Sequence, residues 1–133
     1  MDKNKEDFDK CASDVFELLY QEFPKETDVV VDDLVGITDD EMIDNYFATI
    51  RFLQREGLIR YQKFDYGSFN GGVLTAKGLR ILDTVMEKGE TIAQQISKAL
   101  GNENKAEIRR VIKEVIKLCV RTENENGGGR YWI

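Results

Sequence analysis

Twenty-five carboxylates, nineteen basic side chains and two thiols make up the reactive groups of this chain of 133 residues, and no histidine accompanies them. Its absence removes the usual general base, the usual partner of a nucleophilic serine or cysteine, and the commonest metal ligand. The carboxylate pairs Asp32–Asp33 and Asp39–Asp40 are sequence neighbours, which do not face one another on a helix, and no Asp-x-Asp-x-Asp-Gly loop is present. They read as acids favoured at positive helix N-termini. Gly127, Gly128 and Gly129 have no strand before them and no helix after them, so they do not read as a phosphate loop. Cys11 and Cys119, more than a hundred positions apart, fall among apolar helix positions and are expected to be buried thiols. The expectation is therefore no catalytic residue, no metal, no cofactor and no enzyme.

The elements that would position the remaining polar groups must come from one core. The composition, 41% hydrophobic and 33% charged, suits a single domain with appendages. No segment approaches the roughly 18 apolar residues of a membrane span, and residues 1–10 are charged where a signal peptide would be apolar. A cytoplasmic protein without a membrane partner is expected.

The middle of the chain carries the clearest pattern. Thr38 followed by Glu41 forms a capping-box signature, and Met42, Ile43, Tyr46, Phe47, Ile50 and Leu53 then recur at helical spacing until Gly57. Residues 58–64 read as a strand, residues 65–72 as a glycine-rich wing tip, and Val73 with Leu74 as a short return strand. Thr75 can cap the next helix, with Leu79, Leu82 and Val85 as its buried stripe. Upstream, a helix over residues 5–23 ends at Pro24, residues 27–31 read as a third strand of the wing sheet, and residues 32–37 as a short helix closed near Gly36. The fold class expected is mainly α with a small antiparallel β-wing (α+β), in the order helix, strand, helix, helix, strand, strand.

Leu74, Thr75, Gly78 and Leu82, together with the upstream run Phe52, Leu53, Glu56, Gly57, Leu58 and Ile59, resemble the wing and recognition-helix junction of winged helix-turn-helix regulators such as the PadR and MarR groups. The short acidic layout is also similar to winged-helix proteins of phages and mobile elements. This resemblance covers roughly residues 8–88. It implies a winged-helix domain over 1–88, a C-terminal helical extension over 89–121 and a glycine-rich tail over 122–133. It also implies duplex DNA as partner and transcription regulation as role. The residues then placed to read bases or phosphate are Asn45, Arg51, Gln54 and Arg55 on the helix, Lys63 on the wing strand, and Tyr66 or Phe69 at the tip.

Beyond residue 88, residues 91–100 read as one helix and 105–120 as another, with Asn104 able to cap it. Ile108, Val111, Ile112, Val115 and Ile116 lie on the last helix at nearly heptad spacing and fit either a homodimer seam or packing against the first helix of the same chain. Lys105, Arg109, Lys113 and Lys117, spaced by four, form a basic stripe that suits a solvated face. The terminal Tyr131, Trp132 and Ile133 fit a docking segment or a disordered end.

Charge leaves two functions open. Residues 1–40 hold 4 basic and 13 acidic side chains, whereas residues 41–80 hold 6 basic and 4 acidic. That asymmetry suits one DNA-facing side on an acidic protein. The front of the reading helix nonetheless carries Asp39, Asp40, Glu41 and Asp44. The alternative is an acidic interaction module, antitoxin- or adaptor-like, whose acidic first 40 residues meet a basic protein and which does not bind DNA.

Overall fold

The computed structural model describes the backbone of residues 2–36 and 39–130 and the side chains of 2–36 and 39–121. Helix α1 (Lys3–Glu22) runs through the middle of the molecule. Its N-terminus is capped by Asp2, whose carboxylate accepts the Asn4 N–H, and Pro24 lies just beyond its end. Cys11, Ala12, Val15, Phe16 and Leu19 are all at most 1% exposed, because α1 is packed on by α3, α5, α6 and the sheet. Both cysteines are free and buried, as their apolar surroundings implied.

Strand β1 (Thr27–Val30) leads directly into α2 (Val31–Val35), so Val31 opens the helix where a last strand residue was expected. Gly36 closes α2 at φ 80, in the left-handed region that favours glycine. Helix α3 (Asp40–Arg55) follows. Its cap is Asp39, whose carboxylate accepts the Met42 N–H at 3.2 Å. The cap expected at Thr38 lies outside the described residues, as does Ile37. Tyr46, Ile50 and Leu53 are fully buried, with Met42, Ile43 and Phe47 partly so, which is the face the periodicity marked.

The wing departs from expectation in its boundaries. The strand expected over 58–64 is two strands, β2 (Ile59–Arg60) and β3 (Lys63–Asp65), and the return strand β4 (Ser68–Leu74) begins five residues early. Pairings Arg60 with Val73 and Lys63 with Asn70 keep one antiparallel register across the gap. The interruption faces Gly71, whose φ of 73 kinks the partner strand, and whose N–H is taken by the Asp28 carboxylate at 3.0 Å. The wing tip therefore shrinks to Tyr66 and Gly67, both at positive φ, the signature of a two-residue type I′ hairpin. β4 lies between β1 on one side and β2 with β3 on the other, so residues 27–30 do complete the wing sheet.

Helix α4 (Ala76–Leu82) is capped by Thr75 and is shorter than its apolar spacing suggested. Ile81 and Leu82 are buried, but Val85 is 62% exposed beyond the helix end. Gly78 is explained by proximity: a Cβ there would lie 2.2 Å from the Leu58 carbonyl oxygen. The Thr75 hydroxyl donates to the Gly57 carbonyl at 2.6 Å, and its N–H donates to the Leu58 carbonyl at 3.1 Å. Threonine and glycine together latch α4 onto the junction between α3 and β2.

Helix α5 (Ile92–Gly101) starts from a capping box of Thr91 and Gln94, and α6 (Lys105–Arg130) from Asn104, whose amide oxygen accepts the Glu107 N–H. Ile108, Val111, Ile112 and Val115 are 0–5% exposed within this one chain, and Ile116 is half-buried. The homodimer seam proposed for them is therefore corrected: these side chains are spent on an internal interface in which α6 packs against α1 and α5. Each contributes about 1.5–3 kcal/mol by leaving water. The backbone stays helical through residues 127–129, where a glycine-rich tail was expected, although each glycine costs a helix about 1 kcal/mol. Residues 131–133, and with them the suggested docking segment, lie outside the described residues. The class is thus mainly α with a small antiparallel sheet.

Candidate nucleic-acid interface

The candidate surface is built from the second half of α3 and the hairpin that follows it. With Tyr46, Ile50 and Leu53 anchored in the core, helical geometry turns Arg51 and Arg55 outward, one turn apart. After Gly57 reverses the chain, Leu58 and Ile59 are buried and Arg60 faces out. Among the described residues, no carboxylate lies within ion-pairing distance of Arg51, Arg55 or Arg60. Several other cations are matched, Lys3 to Asp7, Lys10 to Asp14, Lys98 to Glu90, and Arg110 to Glu87 and Glu107, whereas Lys5, Lys88, Lys113, Lys117 and Arg121 have no ion pair among the described residues. Lys63 on β3 is exposed and has only a long contact, 3.8 Å, with Asp65.

An aromatic cluster fixes the wing to the helix. Phe69 is fully buried, with Phe64 at 4.7 Å and Tyr61 at 4.8 Å between ring centroids, and Phe47 of α3 lies 5.1 Å from Phe64. The Arg51 guanidinium sits over two of these rings, 5.6 Å from Phe64 and 6.0 Å from Phe47. That is within the reach of a cation–π contact. Phe64 remains 42% exposed and Tyr66 98% exposed at the tip.

The expected reading residues divide accordingly. Arg51, Arg55, Lys63 and Tyr66 come to the surface on one helix and the adjoining hairpin, and Gln54 is half-buried beside them. Phe69 is corrected: it is fully buried, because β4 begins at Ser68 and takes it out of the tip into a cluster with Phe47, Tyr61 and Phe64. Asn45 is corrected as well. Its amide donates to Asp7 at 2.8 Å and to Asn4 at 3.1 Å, which ties α3 to α1 and leaves those hydrogens unavailable to a base. Arg60 and Phe64 were missed. The signal for Arg60 was a cation at the first outward position after two buried strand residues; for Phe64 it was an aromatic one strand position from a lysine.

The basic stripe of α6 is partly consumed. Lys105 approaches Glu6 at 3.8 Å, and Arg109 holds Asp9 at 2.7 Å, whereas Lys113 and Lys117 are exposed. Burial pushes the Asp9 carboxyl above its ordinary value, and the Arg109 hydrogen bond only partly offsets this. Asp14 behaves alike, raised by burial against the opposing pull of Lys10. Burial also pushes the Cys11 thiol well up, so it stays protonated and is a poor nucleophile. Among the described residues no group of three or more cysteine, aspartate or glutamate side chains is placed to hold a metal ion. Among them, too, no helix is long and apolar enough to cross a membrane. Comparison with known proteins gives no family model, no curated protein and no solved structure that matches this chain.

Proposed function

We propose that the chain is a winged helix-turn-helix protein that binds duplex DNA, with α3 in the major groove and the β3–β4 hairpin against the backbone, and that it acts in transcription regulation. The observation that carries this reading is that Arg51 and Arg55 on α3 and Arg60 on the strand after it are exposed and have no carboxylate partner among the described residues. Guanidinium groups left free of carboxylates are available to phosphates and to guanine edges. The element order and the antiparallel pairing of β1 with β4 support the winged-helix assignment. The acids at the front of α3 have a local explanation, since Asp39 caps the helix and Asp40 and Glu41 lie in its first turn. In this reading DNA meets the later turns of α3.

The test is fluorescence anisotropy of the purified chain with a mixed-sequence duplex at low and near-physiological salt. Binding that falls steeply with salt is expected, with Arg51→Ala and Arg55→Ala each weakening it and flattening the salt slope by about one. Absence of binding at low salt would remove the reading.

A second reading, an acidic module for a basic protein partner, is favoured by a different place. Where α1, α3 and α6 begin, a groove of about 760 Å³ is lined by Glu6, Asp7, Asp9, Met42, Ile108 and neighbouring groups. It joins an apolar floor to a rim of mixed charge, where Glu6, Asp7, Asp9 and Glu103 stand among Lys10, Lys105 and Arg109 and Arg109 already holds Asp9. Asp39 and Asp40, at the start of α3 and outside that groove, have no ion pair among the described residues; under that reading changing both to Asn weakens capture of the partner, and under the first it strengthens non-specific DNA binding.

A further inference from the structure

We propose that Phe64 is a positioning residue for Arg51, holding its guanidinium ready for a DNA phosphate so that the reading helix and the wing meet the duplex as one pre-assembled surface. This rests on the duplex-binding reading above. Arg51 is exposed, and a long exposed side chain normally samples many rotamers whose loss opposes binding. Here its charged end lies over the Phe64 ring at 5.6 Å and near Phe47 at 6.0 Å. A carboxylate could also restrain the arginine, but it would occupy the N–H groups and cancel the charge that a phosphate needs. An aromatic face restrains the cation while leaving both available. Phe64 can do this because it is itself restrained: β3 pairs it opposite Phe69, and the rings of Phe69 and Phe47 pack against it at 4.7 and 5.1 Å. One wing residue thereby sets the direction of a charge on a different element.

Four proteins separate the possibilities: wild type, Arg51→Ala, Phe64→Leu and Phe64→Tyr, each titrated against one duplex over a range of salt. Leucine fills the site without an aromatic face, and tyrosine keeps the face. Arg51→Ala should weaken binding and flatten the salt slope by about one, because a phosphate contact is lost. Phe64→Leu should weaken binding about two- to fivefold with the slope unchanged, since the charge remains and only its placement is lost. Phe64→Tyr should bind as wild type. Side-chain NMR gives a readout without DNA: the ring-current shift of the Arg51 Nε proton should shrink in Phe64→Leu and persist in Phe64→Tyr. If leucine unfolds the wing, the wild type and Phe64→Tyr carry the test by NMR: an Arg51 Nε proton displaced from its random-coil shift in both supports the role, and a random-coil shift overturns it. Wild-type binding together with an unaffected Phe64→Leu protein overturns the positioning role alone. A slope as flat in Phe64→Leu as in Arg51→Ala, or an unchanged ring-current shift, does the same. No duplex binding by the wild type overturns the functional reading and this role with it.

Discussion

Replacing Gly78 by alanine should destabilise the protein although it adds a better helix former to α4. The new Cβ would lie 2.2 Å from the Leu58 carbonyl oxygen and 3.1 Å from its carbon, both backbone atoms. A carbon–oxygen contact settles near about 3.3 Å, so α4 and the α3–β2 junction must part by about 1 Å. That movement strains the hydrogen bonds from Thr75 to Gly57 and Leu58, now 2.6 and 3.1 Å long and worth about 1 kcal/mol each. Overpacking adds about 1–3 kcal/mol, and alanine's helix propensity returns about 1 kcal/mol. With both hydrogen bonds lost the net is about 2–4 kcal/mol, or roughly 7–14 °C in Tm for a chain of this size. Gly101 is the control: it ends α5 with nothing within 4 Å of its would-be Cβ and no positive φ. Alanine there should stabilise by about 0.5–1 kcal/mol. Urea and thermal unfolding of the two variants check the opposite signs. Equal or greater stability of Gly78→Ala would mean that α4 is not held against Leu58 as described.

Three further outcomes are expected. Ile112→Ala should cost about 2–4 kcal/mol with an effect independent of protein concentration, because its contacts lie within one chain; a loss that vanishes at high concentration in urea unfolding would restore the dimer seam. Asp14 has a raised pKa in the fold, so the folded state holds that proton more tightly than the unfolded one. Its stabilising contribution is present below the ordinary value of 3.8 and is lost as pH rises through the folded value. Asp14→Asn should therefore gain stability relative to wild type as pH rises above the ordinary value of 3.8 in urea titrations, and a relative loss on that rise would contradict the sign. Tyr66→Asn should raise stability by about 0.5–1 kcal/mol, since asparagine tolerates the left-handed region, while weakening duplex binding in the anisotropy assay.

How much could be read in advance follows from which signals are local. Caps, stops and apolar stripes are, and so α1, α2, α3, α5 and the start of α6 fell near their expected places. The wing strands were harder, because Gly71 and Gly72 look like turn residues until β1 is known to pair with them. Gly72 serves close approach to that strand, with the Thr27 carbonyl 3.0 Å from a Cβ built on it, whereas Gly71 is needed for its positive φ and lies against the Gln62 side chain. Misplacing the start of β4 exposed Phe69 on paper when the fold buries it. Asn45 failed for a related reason: its partners Asn4 and Asp7 are about forty positions away, and no spacing within α3 reveals them. The dimer-or-core alternative for α6 turned on the same missing information, namely where α1 lies.

Tyr66 gives the wing surface a second, independent claim to function. A two-residue hairpin of this kind favours asparagine and glycine, yet its first position holds tyrosine at φ 50. Lys88 and Glu103 also take positive φ, but they place charges in water, where such groups are stable. Tyr66 instead combines an unfavourable backbone region with a large ring that is 98% exposed, so no packing within the chain offsets either cost. Elsewhere the local rules are kept: Asp2, Asp39, Thr75 and Thr91 cap their helices, and Gly36, Gly57 and Gly67 occupy left-handed positions. A large exposed ring at an unfavourable backbone position, with no packing to offset it, points to selection for something other than stability. This one sits at the end of the hairpin that carries Lys63 and Phe64, and Phe64 is the ring beneath the Arg51 charge. The arginines with no carboxylate partner among the described residues and the ill-suited tyrosine therefore point, by different physics, to the same helix and hairpin.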